Sequence, residues 1–151
     1  MIPATLRSPA HPSRAALQAS VVAAVAVGGA LGACLRFLLT TAVPEPGAGF
    51  PWTTFAINVA GSFLLALLPA SAVVRRHRLL PPLLGTGLLG GFTTLSAYSE
   101  QTRALLSGGH QGTAAAYLLG TLAACLLAVA VGDRFSSALA RAEFEDEEGD
   151  L

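Results

Sequence analysis

The sequence predicts an all-α membrane protein with four transmembrane helices per subunit, the third of them broken. Three observations carry this reading. Charged residues make up only 12% of the 151 residues and hydrophobic ones 53%, where an ordinary soluble domain carries about 25% charge. The charges are also clustered, leaving four long runs without a formal charge. They are 21 residues between Arg14 and Arg36, 29 between Glu45 and Arg75, 21 between Arg78 and Glu100, and 29 between Arg103 and Asp133. A helix needs roughly 20 apolar residues to cross a hydrocarbon core of about 30 Å. Finally, the third run ends in "GGFTTLSAYSE", which puts a glycine pair and a row of hydroxyls at membrane depth. A soluble helical protein would instead show polar faces at helical period, and these runs show none.

Residues 1–16 hold three prolines and two arginines and read as a flexible tail. The first helix covers about 17–43. Its apolar run exceeds the roughly 7–15 residues of a signal-peptide core, and three spans follow it, so it reads as a retained helix. Gly28, Gly29 and Gly32 in "GGALGA" lack the strand and acidic partner of a dinucleotide loop, so they point to close helix packing. Arg36, near the end of this helix, suits either snorkelling to the interface or attracting anions to a pore mouth. The two roles are compatible.

A tight Pro/Gly connector, "PEPGAGFP", leads to the second helix, about 52–74. Asn58 sits near its middle. An amide in hydrocarbon without partners is costly, so Asn58 must face another helix or water. It reads either as interhelical glue or as a donor to an anion through its two N–H groups.

The basic loop "RRHRLLPP" precedes the third helix, about 79–99. Gly90-Gly91 removes side-chain bulk and favours a break there. Broken helices survive in membranes only where the freed backbone groups meet protein, water or ions. Carbonyls released at a break can coordinate a cation, and the N-terminus of the next half-helix favours an anion. Thr93, Thr94, Ser96 and Ser99 supply hydroxyls beside it, unless they bond back to their own helix carbonyls. Leu95 and Tyr98 fall on one helical face.

The fourth helix covers about 113–132, and together residues 17–134 form one transmembrane domain. The last residues, 135–151, end in "EFEDEEGDL" and read as a solvated acidic tail without fixed structure. Cys34 and Cys125 imply neither a metal site nor a disulfide framework and read as small buried hydrophobes. No His, Asp or Glu lies well inside a span, so no catalytic set assembles and the chain is not an enzyme. Zero net charge, with basic residues only at membrane edges, argues against a nucleic-acid footprint. With the N-terminus inside, seven arginines fall on the cytoplasmic side and one or two opposite, which favours that orientation.

"GGALGACLRFLL", "FPWTTFAINVAGSFLLALL" and "GTGLLGGFTTLSAYSEQ" resemble the first three helices of the CrcB/Fluc fluoride channels. The resemblance covers all four helices in order. It implies antiparallel dimers of the dual-topology type in a bacterial plasma membrane, formed with a second copy or with a homologous subunit of opposite orientation. It also implies two fluoride pathways, passive efflux that lowers intracellular fluoride, and a structural sodium ion held by backbone carbonyls. By position those carbonyls belong to Gly90 and Thr93. The anion pathway maps to Asn58, Ser96 and Arg36, with Thr94 beside them and Leu95 and Tyr98 standing where the family has phenylalanines. The family's closing glutamate falls on Gln101. Leu95 is the serious departure, because leucine has no ring edge to offer an anion. Two alternatives stand beside this reading. A small drug/proton antiporter would need a carboxylate inside a span, and none is present. A non-conducting accessory subunit of a heterodimer is kept open by Leu95.

Overall fold

The computed structural model describes residues 14–44 and 49–149, with side chains as far as residue 138. The described residues are almost all helical, joined by short turns, with no strand among them. Helix α1 spans Arg14–Ala42 and α2 spans Trp52–Leu67. Pro69 ends α2 in a 3₁₀ turn, Leu68–Ala70, because its ring cannot continue the helical hydrogen bonds. A five-residue helix, α3 (Ala72–Arg76), follows. The second predicted helix, 52–74, is therefore three pieces. A π-helical segment, Pro82–Leu89, runs on into a short α turn, α4 (Gly90–Phe92). Two extended residues separate it from α5 (Leu95–Ser107). Helix α6 spans Gln111–Gly149. It does not stop at residue 132, so the acidic segment continues its backbone instead of forming a separate tail.

Three helical stretches are long and apolar enough to cross a membrane: Arg14–Ala42, Trp52–Ala70 and Gln111–Ala138. The predicted third span is divided between the π-helical segment with α4 and the separate α5. The predicted N-terminal tail lies largely outside the described residues, as do 45–48 of the connector.

Helix α1 packs chiefly on the π-helical segment and α4, while α2 packs on α6, which also holds α5. The first contact explains the small residues. Ala24, Gly28 and Gly32 recur every four positions and are all buried. A Cβ on Gly28 would lie 2.1 Å from the Leu83 carbonyl oxygen, and one on Gly32 would lie 2.0 Å from that of Leu88. Glycine here lets two backbones touch, the membrane substitute for a hydrophobic driving force. Gly91 completes the seam, since a Cβ there would lie 2.3 Å from the Gly29 carbonyl oxygen.

At the other end of the bundle, Leu105, Ala114 and Tyr117 form a core against Phe50, Phe55 and Tyr98. The Phe50 and Tyr117 rings meet edge to face at 5.3 Å. Arg14 and Arg78 line one common groove, so the start of α1 and the loop after α3 lie at the same end. This matches the placement of both arginines on one side of the membrane.

Candidate functional site

The break lies at Thr93 and Thr94, three residues beyond the glycine pair expected to make it. Gly90-Gly91 stays helical, while Thr93 (φ −74°, ψ 159°) and Thr94 (φ −149°, ψ 119°) are extended. The reason is the local hydrogen bonding. In an unbroken helix the Thr94 N–H would reach the Gly90 carbonyl. It donates instead to Asn58 Oδ1 at 2.8 Å. The Ala97 N–H would reach the Thr93 carbonyl, but it donates to the Thr94 hydroxyl at 3.1 Å, which makes Thr94 the N-cap of α5. The carbonyls of Gly90 and Thr93 thus both lose their helical donors.

Asn58 returns the contact, its Nδ2 donating to the Thr94 carbonyl at 3.1 Å. The pair is two-sided, so only one orientation of the amide satisfies both bonds. One Nδ2 hydrogen remains beyond this pair. Arg36 reaches the same region from α1, its Nε donating to the Gly91 carbonyl at 3.3 Å. It is therefore tied to the end of α4 and does not simply snorkel outward.

The hydroxyls divide between the two expected behaviours. Thr93 and Ser99 bond back to the Leu89 and Leu95 carbonyls at 2.9 and 2.8 Å. Thr94 caps α5, and its Oγ1 also lies 3.1 Å from Ser96 Oγ. Tyr98 donates its hydroxyl to the Leu118 carbonyl and packs its ring on Tyr117 at 5.2 Å.

A cavity of about 530 Å³ opens on the break. It brings together six predicted residues: Asn58, Gly90, Thr93, Thr94, Leu95 and Tyr98. Ser96 and Arg36 do not line it. Leu95 is 76% exposed. Reading the sequence missed Thr121 of α6, whose buried hydroxyl lines the cavity without a hydrogen-bond partner. A threonine in the apolar fourth run, "GTLAAC", was the available signal. Cys125 also lines the cavity and is half-buried, while Cys34 is exposed on α1. Neither is the fully buried hydrophobe expected.

Behind the cavity, Gln101 joins three helices. Its Nε2 donates to Thr54 Oγ1 at 3.0 Å, and Tyr117 donates to its Oε1 at 2.7 Å. Thr54 and Tyr117 are 1% and 0% exposed. Glu100 points the other way, in an exposed pair with Arg103 at 2.6 Å. That hydrogen bond holds its carboxyl below the usual range. Of the two neighbours, Gln101 therefore occupies the interior position.

Comparison with known proteins places the chain in a family. Residues 23–133 match the family described as CrcB-like protein, Camphor Resistance (CrcB). The chain is 44% identical over 124 residues to "Fluoride-specific ion channel FluC 1" of Streptomyces coelicolor, covering 80% of each chain. It is 45% identical over 119 residues to "Fluoride-specific ion channel FluC 2" of Nocardia farcinica, covering 77% of this chain and 84% of that one. It is 45% identical over 118 residues to "Fluoride-specific ion channel FluC" of Novosphingobium aromaticivorans, covering 75% and 93%. With a family match across most of its length and relatives at this identity, the chain belongs to the CrcB family.

Proposed function

We propose that the chain is a subunit of a fluoride-selective channel that lowers intracellular fluoride by passive efflux through the plasma membrane. The observation that carries this is the break itself. It places an amide, a capped helix N-terminus and a tyrosine around one cavity in an otherwise apolar bundle. Fluoride is small and strongly hydrated, so a pore must replace its water with donors. The remaining Asn58 N–H is such a donor, and the N-terminus of α5 carries partial positive charge. Among the described residues no carboxylate lines this cavity, which disfavours a proton-coupled antiporter.

The sodium reading rests on the carbonyl pair. Gly90 and Thr93 both lose their helical donors, and carbonyl oxygens are the ligands a hard cation takes at a broken helix. The residues present therefore fit the ion. In an antiparallel dimer, each subunit would contribute these two carbonyls. A bound sodium ion supplies fixed positive charge between the subunits. Arg36 occupies the Gly91 carbonyl between them, which leaves the flanking pair for the cation.

One observation favours a second reading, the accessory subunit of a heterodimer. Leu95 presents an exposed aliphatic side chain to the cavity, where a ring edge would interact with an anion.

Fluoride efflux from proteoliposomes, with chloride as control, tests the channel reading. Fluoride flux well above chloride flux is expected, and Asn58→Asp should abolish it by replacing the donor with a carboxylate. Equal permeability to the two anions would defeat the selectivity claim.

A further inference from the structure

We propose that Asn58 is the positioning residue that opens the helix break and so creates the carbonyl pair. The inference rests on the cation reading above and assigns its origin to a side chain on a different helix.

The argument follows the backbone donors. The Gly90 carbonyl is available only because the Thr94 N–H has been drawn away, and what draws it is Asn58 Oδ1 at 2.8 Å. The Nδ2 donation to the Thr94 carbonyl at 3.1 Å holds the same peptide from its other side. Asn58 thus pairs with Thr94 much as a neighbouring β-strand would, and an extended Thr94 (φ −149°, ψ 119°) is what such pairing requires. The glycine pair does not do this work. Gly90 and Gly91 remain helical, and Gly91 serves the contact with α1. The Thr94 hydroxyl diverts the Ala97 N–H from the Thr93 carbonyl, but a side-chain cap begins a helix without explaining why the preceding one stops. In membrane surroundings an undiverted Thr94 N–H has one nearby acceptor in helical geometry, the Gly90 carbonyl. Loss of the Asn58 acceptor therefore returns that bond and removes one of the two carbonyls from cation duty.

The Asn58 amide also joins two sites that would otherwise be separate. One face sets the cation carbonyls, and one N–H is left over on a residue that lines the cavity. The two functions come apart by chemistry, since diverting the Thr94 N–H from Gly90 needs an acceptor and serving an anion needs a donor.

Two variants separate them. Asn58→Asp keeps the acceptor for the Thr94 N–H and loses both donors, the one on the Thr94 carbonyl included, whereas Asn58→Leu keeps the volume and loses acceptor and donors alike. The sodium concentration giving half of the maximal thermal stabilisation is measured in detergent for the wild type and both variants. Exchange of the Thr94 amide is followed by NMR. Asn58→Asp is expected to keep its sodium response within about threefold of wild type while conducting no fluoride. Asn58→Leu is expected to need at least tenfold more sodium and to show a changed Thr94 amide environment. An unchanged sodium response in Asn58→Leu, or equal loss in both variants, overturns the proposal. If the wild type shows no sodium response, the cation reading fails by itself, and the amide measurement decides the rest. A Thr94 amide unaltered in Asn58→Leu then overturns the positioning role, and an altered one upholds it.

Discussion

Replacing Gly32 by alanine tests whether backbone contact holds α1 to the broken element. The added Cβ would lie 2.0 Å from the Leu88 carbonyl oxygen and 2.7 Å from the Phe92 nitrogen. Ordinary close carbon–oxygen approaches are roughly 3.3 Å, so the two backbones must separate by about 1.3 Å. Both obstructing atoms belong to the main chain, and no rotamer change removes them. Overpacking a closed interface costs about 1–3 kcal/mol, and a backbone obstruction belongs at the upper end, about 3 kcal/mol. That is more than a hundredfold in the unfolding constant. The separation also stretches the bond from Arg36 Nε to the Gly91 carbonyl, already 3.3 Å long, beyond hydrogen-bonding distance. Gly29→Ala is the control, because its Cβ would find its nearest neighbour at 3.9 Å, an ordinary contact. Its effect should stay within the roughly 1 kcal/mol of helix propensity. Denaturation in detergent micelles reads both variants through Trp52, the one tryptophan, whose ring packs at a tilt on Phe50 with centroids 4.4 Å apart. Equal stability of the two variants would refute the close-contact argument.

Three further outcomes are expected. Gly90→Val should be tolerated within one subunit, where its Cβ meets only the Gly85 carbonyl oxygen at 3.9 Å. It should nevertheless weaken the dimer and its sodium response, and an intact dimer by size-exclusion chromatography would place the partner elsewhere. Gln101→Glu buries a carboxyl between Thr54 and Tyr117, and desolvation raises its pKa. Stability should then fall as pH climbs above the unfolded-state value of about 4.3 and level off beyond the raised native value, whereas a melting curve insensitive to pH would mean the carboxyl escapes to water. Finally, the arginine bias and Leu95 together predict a heterodimer. Cysteines engineered at the termini should label from one side only, fluoride flux from the lone chain should be weak, and mixed labelling with full flux would make Leu95 a tolerated variation.

Much of the architecture was legible because it follows from composition and short spacing. Three of the four charge-free runs marked stretches long and apolar enough to cross a membrane, and small residues four apart marked the seam that Gly28 and Gly32 make with the Leu83 and Leu88 carbonyls. The location of the break was not legible. Gly90-Gly91 looks like a breaker by propensity, but in this seam glycine supplies contact, and the chain stays helical through it. The true break depends on Asn58 and Thr94, 36 residues apart in sequence, and local pattern carries no such pairing. The division of labour between Glu100 and Gln101 was hidden for a similar reason. Both are polar and adjacent, and only the phase of α5 decides that Gln101 faces Thr54 while Glu100 faces out to Arg103. The π-helical turns of Pro82–Leu89 likewise have no period that a sequence search would select.

The polar residues at membrane depth are then accounted for one hydrogen bond at a time. A break in an apolar bundle exposes donors and acceptors that lipid cannot satisfy. Asn58 takes the Thr94 N–H, the Thr94 hydroxyl takes the Ala97 N–H, and Arg36 takes the Gly91 carbonyl. The donors are closed off by side chains, while the Gly90 and Thr93 carbonyls have lost theirs. The imbalance has a sign. The end of α4 concentrates carbonyl oxygen, which suits a cation, and the start of α5 concentrates N–H groups, which suits an anion. In the channel reading, one break therefore serves both ions, and the Asn58 amide stands between them with its oxygen turned to the backbone and one N–H left over. Such a design leaves little freedom at position 58, since a hydroxyl lacks at least one of the amide's three hydrogen-bonding groups, a carboxylate lacks both donors, and an aliphatic side chain lacks all three.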